Sequence, residues 1–108
     1  MDVDTLLTVQ HCDTMAQVRI CIDAIDEKVV ALLAARSRYI AQAARIKQHA
    51  DQIVDLERVG YIVHKVRDAM AARAAPPEIA EAAYRSLIGA SIEFEKQEFA
   101  RLRAGGRP

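Results

Sequence analysis

Aromatic residues make up only 5% of the 108-residue chain. Much of its apolar content is instead alanine, which favours helix over sheet. Charge of one sign is also missing: 15 Lys and Arg balance 15 Asp and Glu, so the basic footprint of a nucleic-acid binder is absent. No apolar run approaches the roughly 20 residues that a membrane span needs. The first residues, MDVDTLLTVQ, are acidic and lack the basic start of a signal peptide. Cys12 and Cys21 are too few for a disulfide framework and read as reduced thiols, which points to a cytoplasmic protein. His11, His49 and His64 are scattered without ligand spacing, which leaves a metal site unsupported. Gly and Pro are absent from residues 15 to 59, so nothing there breaks a helix.

What is present fits one all-α domain over residues 1–108, with a core at about 14–103 and frayed termini. Hydrophobic residues reach 52%, enough for a core. Thr14 and Gln17 fit a capping box at the start of a first helix. From there Val18, Ile22, Ile25, Val29, Leu32, Arg36, Ile40, Ala43 and Lys47 recur at steps of three or four, which is one helix face. Thirty-odd residues at about 1.5 Å each give a rod on the order of 50 Å. A compact domain of this size has a radius of gyration of only about 13 Å. One short chain cannot cover such a rod, so pairing with a second copy is expected.

Residues 48 to 54 lose the helical pattern and read as a connection. Asp55 suits the cap of a second helix running to about Arg73. Ala75-Pro76-Pro77 then breaks the chain, and Pro77 with Glu78 suits the first turn of a third helix ending near Arg103. The expected architecture is therefore three helices per chain (long, medium, long), followed by a frayed tail AGGRP.

Polar residues on the apolar stripes are the anomaly. Arg36 and Lys47 are eleven residues apart, which brings them back to within roughly 20° of one azimuth after three turns. Arg19 lies about 100° away from Arg36 round the same rod; it is better placed to reach a site in a partner chain. On the third helix Tyr84, Ile88, Ser91, Glu95, Phe99 and Leu102 form a stripe, so Ser91 and Glu95 face the way the core residues do. Asp55 and Arg58 lie within one turn and suit one end of a pocket. Each residue also has a plain reading. Lys and Arg snorkel from the edge of an apolar face, and Arg36 can pair with Glu95 across a helix interface. Serine is tolerated in tight packing, Arg38 and Arg45 read as a solvated face, and Cys21, Tyr39 and Tyr84 read as packing residues. Taken together, two cations, a hydroxyl and a carboxyl on inward stripes point to a site for a small polyanion. Such a site works by positioning and electrostatics.

The segment VRICIDAIDEKVVALLAARSRYIAQAARIK resembles the first helix of the all-helical chorismate mutases. The shared features are an early Arg, an I-D-x-I-D-x-x-V run, L-L-x-x-R, and a Lys eleven residues after that Arg. DLER resembles the start of the family's second helix, and LIGASIEFEKQ the end of its third; together the likeness spans roughly residues 15 to 100. The resemblance implies an intertwined helical homodimer that rearranges chorismate, a small dicarboxylate, to prephenate with no cofactor. It assigns Arg36 to a substrate carboxylate, with Arg19 from the other subunit doing the same. Lys47 donates to the ether oxygen and a carboxylate, Ser91 assists at a carboxylate, and Arg58 supports the site. Asp55 matches an acidic position near the substrate hydroxyl, and Ile88 and Ile92 match apolar positions flanking the ring.

This sequence departs from the pattern twice. Glu95 stands where the family usually has Gln as second donor to the ether oxygen, although fungal members among others also carry Glu. A carboxylate cannot donate, so Glu95 has to be protonated in that role. Val59 stands where mutases commonly have Glu on the ring hydroxyl. With the shorter connection after Lys47, Val59 resembles the isochorismate-pyruvate lyase branch, which releases pyruvate and leaves salicylate. A 4-amino analogue of chorismate is a further conceivable substrate. A rival of another class is a non-catalytic helical dimerisation or regulatory module in which the striped charges pair with one another.

Overall fold

The computed structural model describes residues 2–105. Among them are four α-helices, α1 (Val3–Leu7), α2 (Met15–Ile46), α3 (Leu56–Ala72) and α4 (Pro77–Gly105), with a 3-10 turn at Ala50–Gln52 and no strand. No helix among the described residues is long and apolar enough to cross a membrane. The chain divides into two compact units, with the boundary after Arg38 inside α2.

In the first unit α1 corrects the expectation of three helices. Asp2 makes this extra turn possible: its Oδ1 accepts from the Thr5 amide at 2.8 Å, satisfying one of the free donors of the helix start. The end of the turn closes where Thr8 N–H donates to Thr5 O at 3.2 Å. An irregular segment leads to the start of α2, where the Gln17 amide donates to Thr14 Oγ1 at 3.2 Å. The Gln17 side chain answers by accepting from the amides of Asp13 and Thr14, the reciprocal arrangement of a capping box. A groove of about 490 Å³ lies within this unit, with Leu6, Val9, Val18, Ile22 and Ile25 along it. No described residue of the unit is buried. On α2, Ile22, Val29 and Leu32 remain 49%, 44% and 66% exposed.

The second unit builds a core. Ala44 from the end of α2, Ile53 from the connection, Val63 from α3 and Ile88 from α4 are its buried apolar residues. Helices α3 and α4 pack against each other. Asp55 caps α3, its Oδ1 accepting from the Arg58 amide at 3.0 Å. Between α3 and α4 the chain reverses through Ala74 at φ 55°. There Ala75 N–H donates to Met70 O and Ala74 N–H to Ala71 O, each at 3.0 Å. These are the two bonds of a Schellman ending, with alanine in the left-handed position that glycine usually occupies. Pro77 then opens α4, where its missing N–H costs nothing. An ion pair ties the two helices near this reversal: Arg67 Nη1 meets Glu81 Oε1 at 2.6 Å, and Arg85 Nε meets Glu81 Oε2 at 2.7 Å. Helix α4, the third of the expected helices, extends to Gly105, beyond the expected end near Arg103. The rest of the expected frayed tail, residues 106–108, and Met1 lie outside the described residues.

Candidate active site

Lys47 is the first residue after α2. The helix ends at Ile46, although the Lys47 amide still donates to Ala43 O at 2.9 Å. The following residues turn away because the next two amides take a side-chain acceptor: Gln52 Oε1 accepts from Gln48 N at 2.9 Å and His49 N at 3.0 Å. From just past the helix end the Lys47 side chain crosses to α4, where Nζ stands 2.7 Å from Glu95 Oε2. Glu95 is 4% exposed and is the buried polar residue of the structure among those described. The buried Oε2 thus has the Lys47 ammonium as its charge partner. A buried carboxylate is costly without compensation. Lys47 supplies the counter-charge.

Around that pair α4 presents Ile88, which is buried, and Ser91 and Ile92, both half-buried. Ser91 stands one helical turn before Glu95 and so on the same side of α4. Val59 is half-buried in the first turns of α3. Asp55 and Arg58 are exposed, and both are engaged locally. The Asp55 carboxylate caps α3, and the Arg58 guanidinium lies 5.0 Å from the centre of the Tyr61 ring. The two remaining residues of interest belong to the first unit: Arg19 is exposed and Arg36 half-buried on α2. The structure thus joins Lys47 with Glu95 and puts Asp55 against the Arg58 backbone.

Sequence reasoning missed Arg103. This half-buried residue in the last turns of α4 donates from Nη1 to Ala44 O at 2.7 Å and from Nη2 to Lys47 O. Its guanidinium carbon lies 3.6 Å from the centre of the Phe99 ring, one turn back on the same helix. The spacing Phe99–Arg103 was a readable signal of a stacked cation. The acceptors were not readable, since they are backbone carbonyls 59 and 56 residues away in sequence.

Among the described residues the fold is all-helical, with a buried carboxyl meeting a lysine at a helix end. The particular family follows from comparison. The model of the family chorismate mutase type II matches residues 18–96, well over half of the chain. The chain belongs to that family. No curated protein gives a significant match to it.

Proposed function

We propose that the protein is a chorismate mutase, an isomerase that converts chorismate to prephenate through Lys47 and Glu95. The observation that carries this reading is the match of residues 18–96 to the chorismate mutase type II family, a stretch that contains both Lys47 and the buried Glu95. The reaction is a concerted rearrangement in which the ether C–O bond breaks while a C–C bond forms. Catalysis therefore rests on holding a compact conformer and on donors aimed at the ether oxygen as negative charge grows there. Lys47 brings a point charge to that oxygen. Glu95 is the second donor when it carries a proton. With Glu95 ionised, Lys47 is held in an ion pair and the ether oxygen faces an acceptor. Protonation of Glu95 creates a donor and releases the Lys47 charge to the substrate at once. Arg36 binds a carboxylate with its planar fork, Arg19 of the partner subunit does the same, and Ser91 assists. Ile88 and Ile92 flank the ring; Asp55 and Arg58 close one end of the site. No cofactor takes part.

The site is completed by a homodimer. The exposed apolar stripe of the first unit, with Ile22, Val29 and Leu32 largely in solvent, supports this assembly. A biosynthetic enzyme of this kind, working on a small dicarboxylate, belongs in the cytoplasm.

Val59 favours a second reading on the same fold, in which isochorismate loses pyruvate and leaves salicylate. A short apolar side chain gives the substrate hydroxyl no acceptor at that place. Separate incubation with chorismate and with isochorismate, followed by product identification, decides between the two. Prephenate from chorismate supports the first reading, and salicylate with pyruvate supports the second. Turnover of neither removes both readings and leaves the 4-amino analogue of chorismate as substrate or a non-catalytic dimerisation module.

A further inference from the structure

We infer that Arg103 is a positioning residue for Lys47. This rests on the reading of Lys47 as a substrate-binding cation. The end of a helix leaves its last carbonyls without amide donors. For Ala44, fully buried at 0% exposure, the amide four residues on belongs to Gln48, and that amide donates to Gln52 Oε1 instead. Arg103 Nη1 takes over this carbonyl at 2.7 Å. Its second nitrogen, Nη2, donates to the carbonyl of Lys47 itself. One planar fork therefore grips two carbonyls of the α2 end, and a cation stands where the helix dipole favours one.

The fork is itself held. Phe99 lies against the guanidinium face at 3.6 Å, and such stacking limits the angles from which an arginine can donate. Phe99 and Arg103 continue the helix that carries Glu95. A single rigid element thus carries the carboxyl that meets the Lys47 ammonium and the guanidinium that fixes the Lys47 backbone. The lysine side chain is long and has about 2 kcal/mol of rotamer freedom to lose. Anchoring its main chain to the same helix as its carboxyl partner shortens the list of positions its Nζ can take. Lysine at 103 would offer one compact charge in place of the two-pronged grip.

The test compares Arg103→Met, which keeps an unbranched stem but no donor, with Arg103→Lys, each alone and combined with Lys47→Met. Turnover of chorismate is measured with amide hydrogen exchange at single-residue resolution. In Arg103→Met, kcat should fall about 10-fold to 100-fold, the scale of a misplacement near 1 Å. Exchange at the Lys47 amide should accelerate, while the Val63 amide in α3 keeps its wild-type rate. Arg103→Lys should recover part of both effects. In the Lys47→Met background, adding Arg103→Met should cost nothing further, because the residue acts through Lys47. Multiplying losses in the double variant would overturn the inference, as would equal acceleration of exchange at Lys47 and Val63. If the wild-type protein leaves chorismate unchanged, the proposed function falls, and the exchange comparison alone then decides whether Arg103 anchors Lys47.

Discussion

The two units of the chain solve opposite problems with similar material. Residues 39–105 bury Ala44, Ile53, Val63, Ile88 and Glu95, drawn from α2, the connection, α3 and α4. Residues 2–38 bury none, although Ile22, Ile25, Val29 and Leu32 repeat along α2 as regularly as any core stripe. The difference is one of neighbours. The second unit folds back on itself at Ala74 and gives each stripe an opposing helix. The first holds α1 and the part of α2 up to Arg38, and within it the stripe has only that short N-terminal segment as a neighbour. Periodicity states which residues want to leave water, and topology decides whether the same chain can accommodate them. In our reading the first unit is stabilised by a second copy and the second unit by itself.

The sharpest way to break this contrast is a charge on the exposed stripe. On the proposed homodimer, Leu32→Asp should convert dimer to monomer in analytical ultracentrifugation and lower chorismate turnover by about 100-fold or more, since the proposed contribution of Arg19 of the partner subunit is lost with it. An unchanged sedimentation coefficient would remove the pairing from the account. A truncation in the second unit should do the reverse. Ile53→Ala removes buried apolar volume and should cost about 2–5 kcal/mol of unfolding free energy in urea titration. Its effect on association should be small.

A stabilising change at the reversal of the second unit is the next largest. Ala74→Gly relieves a left-handed residue, offset in part by greater freedom of the unfolded chain. A net gain of about 0.5 kcal/mol, or about 2–4 °C in Tm, is expected by calorimetry. A loss would show that the Schellman ending of α3 does not govern this junction.

The smallest effect is one of pH. Hydrogen bonds from Arg85 and Arg67 hold the Glu81 carboxyl below the ordinary carboxylate value. Such a group binds fewer protons folded than unfolded. Its contribution is present above the unfolded value and disappears as pH falls through the lower, folded one. Thermal melts from about pH 6 to pH 3 should show a shallower acid loss in Glu81→Gln than in the wild type. Parallel curves would mean that the Arg67–Glu81–Arg85 cluster is without thermodynamic weight.

The helix boundaries were largely legible in the sequence because their signals are local. Thr14 with Gln17, Asp55, and Pro77 each act within one turn, and each stands where the structure starts a helix. The turn at Val3–Leu7 was missed because a single aspartate cap on five residues is a weak signal. Lys47 and Glu95 stood out as charges on apolar stripes, but their direct contact was not expressed in any spacing. From the sequence Arg103 marks only the end of a helix. Its partners are main-chain carbonyls, which every residue has, so only the fold could select Ala44 and Lys47 from the rest.

In the proposed function Lys47 and Glu95 form the reacting end of the site, and Glu95 works in its protonated form. The pH–rate profile of prephenate formation, recorded side by side for the wild type and Glu95→Gln, tests it most directly. The wild-type optimum should lie on the acid side and move toward neutral pH in Glu95→Gln, because the amide donates without needing a proton. A flat profile shared by both proteins would contradict it.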